Sequence, residues 1–336
     1  MKWWGDSESP VSPDQVRPGV VYVRAAYHYE VSVEDNPFTK SEDKKLLVKT
    51  TPALPYQATA FFIDEEGRLA TNRHVAVPWE DTNNDTGIAE SLRQAYKEWL
   101  LDQLDVQDIQ FLFTAGIVDA INKLQKTELG RAVLNNSDNI NQARAILNTI
   151  MNSKVEIGGK IDFITVGYPG NNYTHEDDFE RCYVVAESGD KNIDIAILQM
   201  NNKKTPTDVL NGKTKGGKNI VILDPSKALE ETLVPMKDQY CLIGYPQGLA
   251  WGLDDTSHSL EPSIRQTQCV KQPSRYNFEL NADTYGGSSG SPVFDNNGNL
   301  VGILFGGRPG TSVTAAVHAK FLKELYEKEV GLPTKK

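Results

Sequence analysis

The sequence predicts a mainly β protein, interrupted by one helical block and closed by one helix. Three observations carry this. Short runs of β-branched, aromatic and small apolar residues alternate with turn residues over residues 20–77 and again from residue 155. Between about residues 80 and 154, apolar residues recur instead at the 3.6-residue period of amphipathic helices. Asp295-Asn296-Asn297-Gly298, set between two apolar runs, is a strong hairpin turn.

Residues 1–17 combine two prolines with several charges and no periodicity, and read as a tail or linker. Strands are expected at Val20–Ala25, Glu30–Val33, Lys45–Lys49 and Ala58–Ile63. The turn Asp64-Glu65-Glu66-Gly67 then leads into Leu69–Thr71, giving a β meander or barrel. The helical block follows. Ile88, Leu92, Tyr96, Trp99 and Leu100 share one helix face. A second helix starts after Asp105, whose carboxylate is placed to cap it, and shows Ile109, Leu112, Ile117, Ile121 and Leu124. A third carries Ile140, Ala143, Ile146, Leu147, Ile150 and Met151. Strands resume at Ile161–Val166, Cys182–Ala186, Ile193–Leu198, Ile220–Leu223 and Gln239–Ile243. Ser263–Val270, Tyr276–Leu280, Ser291–Phe294 and Leu300–Phe305 complete the set. The lysine- and glycine-rich residues 201–219 read as a solvated linker. Val317, Phe321, Leu322 and Leu325 form the apolar face of a last helix, closed by Gly331.

A chain of 336 residues suggests roughly two domains at about 150 residues each. With 39% hydrophobic and 24% charged residues it has ordinary globular composition, which excludes disordered and collagen-like classes. The formal charge of −10 argues against nucleic acid or an anionic membrane as a partner. No apolar run approaches the roughly eighteen residues of a membrane helix. Cys182, Cys241 and Cys269 are too few and too scattered for a disulfide scaffold, and each reads as a small buried hydrophobe. No metal or cofactor is implied: His28, His175, His258 and His318 lack ligand spacing. Met1-Lys2-Trp3-Trp4 is followed by a polar, acidic stretch without the apolar region of an export signal, which leaves the compartment open.

Two motif matches are declined. Gly212-Lys213-Thr214-Lys215-Gly216-Gly217-Lys218 ends on Asn219, where a phosphate-binding loop needs a hydroxyl, and is followed by an expected strand instead of a helix. Gly286-Gly287-Ser288-Ser289-Gly290 matches a nucleophile elbow around Ser288, but the required order of serine, acid and histidine does not follow it.

The chemistry lies in three other segments. Leu69-Ala70-Thr71-Asn72-Arg73-His74-Val75 runs a strand end into a histidine, and Asp194-Ile195-Ala196-Ile197-Leu198 opens a strand with an aspartate. Gly286-Gly287-Ser288-Ser289-Gly290-Ser291-Pro292-Val293-Phe294 is a glycine-serine turn before a strand. Together they supply His, Asp and Ser in the order of one known triad arrangement. A serine hydroxyl is a poor nucleophile at neutral pH, so Ser289 needs a base, and His74 fits. Asp194 would hold the imidazole in the correct tautomer. The oxyanion needs preorganised donors, and the N–H groups of Gly287 and Ser289 suit that role.

These segments resemble the trypsin-like (chymotrypsin-fold) serine peptidase superfamily in its bacterial branches. Phe61-Phe62-Ile63-Asp64 with Thr71-Asn72-Arg73-His74-Val75 is similar to HtrA-type proteases. Asp283-Thr284-Tyr285-Gly286-Gly287-Ser288-Ser289-Gly290-Ser291-Pro292-Val293-Phe294 and Gly244-Tyr245-Pro246 resemble the glutamyl endopeptidase group. The likeness covers roughly residues 18–79 and 155–330. It implies two six-stranded antiparallel β-barrels of the chymotrypsin type, a triad of His74, Asp194 and Ser289 in the cleft between them, and a C-terminal helix outside. The implied organisation is a tail at 1–17, a first barrel from 18–79 and 155–205, a helical insertion at 80–154, and a second barrel with its helix at 206–336.

The resemblance also bears on substrate. Asp283 stands at the position that forms the base of the primary pocket; an ionised carboxylate there would favour Arg or Lys. The same D-T-x-G-G run occurs in glutamyl endopeptidases, whose pocket histidine is replaced here by Leu304. Thr284, Gly306 and Gly307 are expected to line the pocket and bind substrate backbone. Ser288 stands where pancreatic-type enzymes carry an aspartate that pairs with a cleaved N-terminus, so activation of that kind is not expected. The helical insertion either borders the cleft, docking protein substrates or a regulator, or decorates the barrel. Two functions are carried: a serine endopeptidase acting on protein or peptide substrates, or a catalytically dormant or gated trypsin-fold binding or chaperone module.

Overall fold

Antiparallel pairing organises most of the computed structural model, which describes residues 10–34, 45–82, 90–92, 94–95, 154–229, 233, 235–248, 259–307 and 311–330. The helices expected between 88 and 151 lie outside the described residues, apart from helical residues at 90–92 and 94–95. Gly331 and His258 also lie outside them. Contacts divide the described chain into two units. One draws on Met1–Tyr27, Ala53–Pro78 and Ile161–Lys336, the other on His28–Pro52 and Trp79–Lys160.

In the first unit, six strands close a ring in the order β1 (Val20–Glu34), β3 (Leu54–Phe62), β4 (Arg68–Thr71), β7 (Ala196–Met200), β6 (Glu180–Glu187) and β5 (Lys154–Gly167). Pairing of β1 with β5 closes it, and the Thr165 hydroxyl donates to the Arg24 carbonyl at that seam, 3.0 Å. A second six-stranded sheet runs β10 (Asn277–Asn281), β13 (Val313–His318), β12 (Leu300–Gly307), β11 (Pro292–Phe294), β8 (Tyr240–Gly244) and β9 (Ser263–Thr267). It curls until the chain just past β9 meets β10, through a bridge between Cys269 and Leu280 and the bond from Val270 N–H to the Glu279 carbonyl, 2.9 Å. The expected mainly β, chymotrypsin-like architecture is therefore present, with one barrel fully laddered and the second a curled half-barrel.

The strands read as continuous apolar runs because both faces are used. Val21, Val23, Ala58, Ala60, Phe62, Leu198 and Met200 fill the first barrel. Their neighbours Val20, Tyr22, Phe61 and Ile197 point the other way and join Ile243, Tyr245, Phe294 and Ile303 from the second sheet. Successive side chains leave opposite faces of a strand, so one face makes the barrel interior and the other the seam between sheets. Each large side chain buried at that seam contributes roughly 1.5–3 kcal/mol. The C-terminal helix α5 (Lys320–Val330) adds Phe321, Leu322 and Leu325 to the same cluster. Its Tyr326 hydroxyl donates to Asp64 Oδ2, 3.1 Å, which also accepts from Arg68, 2.6 Å.

In the second unit, the far end of β1 pairs with β2 (Lys45–Thr50), from Glu30 opposite Thr50 to Glu34 opposite Lys45, with a bulge between Val31 and Ser32. The helical turn α3 (Trp79–Thr82) brings Trp79 against Gly159, where a side chain would collide with the indole.

Four local expectations change. Ile220–Leu223 is an irregular segment, not a strand: Ile220 N–H donates to the Gly212 carbonyl and Val221 N–H to that of Gln15, 2.8 Å. Val317 belongs to β13, paired opposite Ile303, because a six-residue strand precedes the helix in a stretch whose apolar pattern serves either structure. Residues 10–17 are packed. The short helix α1 (Pro13–Val16) buries Val16, and Val11 N–H reaches the Asn296 carbonyl, 2.8 Å. The short helix α4 (Thr207–Asn211) interrupts the lysine-rich stretch. The hairpin is as expected: Asp295 Oδ1 accepts from the N–H groups of Asn297 and Asn299, and Gly298 adopts φ +79°. No helix among the described residues is long and apolar enough to cross a membrane.

The three cysteines are free and buried. Burial pushes the Cys182 thiol up to about 12 and raises those of Cys241 and Cys269 as well. Thiolate is the reactive form, so the native protein is expected to resist an aromatic disulfide reagent at pH 8. Denaturant should release all three thiols; rapid reaction of any of them before unfolding would contradict the packing.

Candidate active site

Strand register brings the first two residues together. Thr71, the last residue of β4, pairs antiparallel with Ala196, the first of β7, so the chain leaving β4 and the chain entering β7 lie at the same end. After β4 the chain makes one helical turn, α2 (Arg73–Ala76), which carries His74. Asp194 lies two residues before β7. The pair is in contact: His74 Nδ1 lies 2.7 Å from Asp194 Oδ2, and the His74 backbone N–H donates to Asp194 Oδ1, 2.9 Å. Asn72 holds the other side, its Nδ2 donating to the Asp194 carbonyl, 2.9 Å. The carboxylate is therefore fixed by two bonds to one residue, and the ring by the carboxylate.

Ser289 comes from the second sheet, on the turn that precedes β11. The peptide planes of this turn are tied individually. The Gly286 carbonyl accepts from Gln247 N–H, 2.6 Å. The Gly287 carbonyl accepts from the Thr59 hydroxyl, 2.8 Å. The Ser288 carbonyl accepts from the Ser291 hydroxyl, 2.6 Å, and the Ser289 carbonyl from Thr59 N–H, 2.8 Å. In a trans peptide the carbonyl and the following N–H point in opposite directions. Tethering the carbonyls of Gly286 and Ser288 thus aims the N–H groups of Gly287 and Ser289 away from those tethers, and neither N–H donates a hydrogen bond among the described residues. Gly287 has φ +96°, and a Cβ there would collide with the Tyr245 carbonyl, so only glycine fits. Gly290, with φ +89°, is held to glycine by the approach of the Thr59 carbonyl.

A cavity of about 630 Å³ adjoins this turn. Its lining includes Asp283, Thr284, Ser289, Leu304, Gly306 and Gly307, with Tyr285, Gly286, Thr311 and Ser312. The five pocket residues expected from the sequence therefore share one cavity with Ser289; His74, Asp194 and Gly287 are not among its lining residues. Asp283 is exposed and its backbone carbonyl accepts from the Arg265 guanidinium. Leu304 is buried in β12 with its N–H on the Ser291 carbonyl, 2.9 Å, a backbone role that leaves no polar group in the pocket at that position. The Ser289 hydroxyl points to the Phe305 carbonyl at 3.4 Å. Of the other histidines, His28 lies 3.5 Å from Glu30, and His318 Nε2 lies 3.0 Å from the Ser274 carbonyl.

Sequence reasoning missed Thr59, Gln247 and the tethering role of Ser291. Thr59 carried one available signal, as the single polar residue in the otherwise apolar run Ala58–Ile63.

A closed β-barrel bearing a histidine–carboxylate pair, and a second curled β-sheet bearing a glycine-rich serine turn, are the parts that define the chymotrypsin-like class. A family model described as the trypsin-like peptidase domain matches residues 58–303, and the chain belongs to that family. Among solved structures it is similar to the Rv3671c protease of M. tuberculosis. For the inactive form the identity is 14% and the TM-score 0.40, covering 96% of this chain and 98% of that one. For the active form they are 15% and 0.41, covering 99% and 95%. No curated protein matches the chain in sequence.

Proposed function

We propose that the chain is a serine endopeptidase that hydrolyses peptide bonds with His74, Asp194 and Ser289. Ser289 Oγ attacks the scissile carbonyl carbon while its proton passes to His74 Nε2. The negative charge that develops on the carbonyl oxygen is met by the N–H groups of Gly287 and Ser289. The tetrahedral adduct collapses as His74 returns the proton to the leaving amine, giving an acyl-enzyme, and water, deprotonated by the same imidazole, releases the acid. Asp194 keeps the proton on Nδ1, so that Nε2 carries the lone pair that acts as the base. The substrate side chain before the scissile bond enters the cavity bounded by Asp283, Thr284, Leu304, Gly306 and Gly307, and its backbone lies along Gly306–Gly307.

The single observation that carries this reading is the 2.7 Å contact between His74 Nδ1 and Asp194 Oδ2, made between residues 120 apart in the sequence. A pairing of this kind fixes the tautomer and the orientation of a base. Labelling with a serine-directed phosphonate tests the proposal. The wild-type chain is expected to form a covalent adduct on Ser289 and Ser289→Ala to form none. An unlabelled wild type that also leaves denatured protein substrates intact would instead make this a dormant member of the fold that binds without cleaving.

A further inference from the structure

We propose that the Thr59 hydroxyl is a positioning group for the reaction, clamping the turn that presents the oxyanion donors; this rests on the serine-peptidase reading above. Thr59 lies on β3 of the first barrel and is fully buried. Every polar group it has is committed to the site. Its N–H donates to the Ser289 carbonyl, 2.8 Å, and its carbonyl accepts from the Thr71 hydroxyl, 2.8 Å, three residues before His74. Its hydroxyl donates to the Gly287 carbonyl, 2.8 Å, and accepts from Tyr245 N–H, 3.0 Å.

The hydroxyl thus joins two segments. Gly287 has a positive φ that glycine can exchange for other conformations at little cost; the turn's own bond from Ser288 N–H to the Tyr285 carbonyl, 3.0 Å, holds the 287–288 peptide but leaves the 286–287 peptide to an outside tether. The loop from Tyr245 to Gly248 also needs holding, since Gln247 and Gly248 both have positive φ, 57° each. That loop supplies the Gln247 N–H that tethers the Gly286 carbonyl and thereby aims the Gly287 N–H. One hydroxyl therefore fixes the 287–288 peptide directly and the 286–287 peptide through the loop. Without it, the Gly287 carbonyl and Tyr245 N–H are both left buried and unpaired, and a shift of the 245–248 loop that re-pairs them takes the Gln247 N–H off the Gly286 carbonyl and frees the 286–287 peptide to rotate. Such a rotation would put a carbonyl where the transition state needs a donor. The ground-state complex loses little, because the substrate's side chain and backbone are held elsewhere, at the cavity and Gly306–Gly307.

The test compares wild type, Thr59→Val, Thr59→Ala and Thr59→Ser on one peptide substrate and one peptide boronate, whose tetrahedral adduct uses the oxyanion donors. Thr59→Val keeps the shape and removes the hydroxyl; Thr59→Ala covers the case in which the valine chain does not fold. Loss of one oxyanion donor costs about 10²–10³-fold in kcat. Both variants are expected near the lower end, with KM unchanged and boronate affinity falling in parallel with kcat, while Thr59→Ser recovers most of both. A loss confined to the melting temperature would overturn the clamp, as would a serine variant as slow as alanine or kcat loss without weaker boronate binding. A wild-type chain that takes no phosphonate label fails the peptidase reading and the clamp with it; an active wild type with unimpaired Thr59→Val and Thr59→Ala fails the clamp alone.

Discussion

Ser289→Ala is expected to lower kcat by about 10⁶-fold on any peptide substrate, the scale on which triads lose activity when the nucleophile is removed. The geometry says why the loss should be so complete and so clean. No neighbouring group replaces the hydroxyl: Ser288 is buried with its hydroxyl facing the Tyr285 N–H, 3.5 Å, and the Ser291 hydroxyl is spent on the Ser288 carbonyl. The fold should hardly notice. Among the described residues the one hydrogen-bond contact of the Ser289 side chain is to the Phe305 carbonyl, 3.4 Å, while the bonds that shape the turn run through its backbone. Stability should stay within about 0.5 kcal/mol of wild type, as for substitutions that break no buried network. Steady-state rates with a fluorogenic peptide and a thermal melt measure both. Retained activity would mean that another residue is the nucleophile.

Asp194→Asn should cost about 10⁴-fold in kcat while preserving the local structure. The carboxylate accepts twice from His74, from the backbone N–H at Oδ1 and opposite Nδ1 at Oδ2. Asparagine can keep the first bond with its oxygen. Its amide nitrogen then faces Nδ1 as a donor, which drives the ring proton to Nε2 and removes the lone pair that must accept the serine proton. The Asn72 amide to the Asp194 carbonyl is untouched, so the loop before β7 stays in place. The expected signature is a low kcat at neutral pH that rises with pH as the reaction comes to depend on serine ionisation without its base. Equal activity in the two chains would show that Asp194 only anchors the His74 backbone.

What could be read from the sequence was whatever depends on neighbours along the chain. The Asp295–Gly298 hairpin was legible because an Asx turn and a left-handed glycine are local requirements. The strands were legible as apolar runs, and the triad we propose, His74, Asp194 and Ser289, is suggested by residue types, order and flanking strands that form a chemical signature. Val317 and Ile220–Leu223 were misread for the converse reason. Short apolar runs suit strand, helix end or packed irregular chain equally well, and only their distant partners decide: Ile303 for the first, Gly212 and Gln15 for the second.

By itself, then, the sequence determined the class of fold and the chemical groups available to it, because hydrophobic period and residue chemistry are written locally. Tertiary structure alone decided how those groups are aimed. The register of β4 on β7 closes a 120-residue gap to pair His74 with Asp194, and Thr59 and Gln247 orient a turn that lies far from either in sequence. Hydrogen bonds of that kind depend on where two buried strands and a loop meet in space, and no pattern along the chain encodes that meeting.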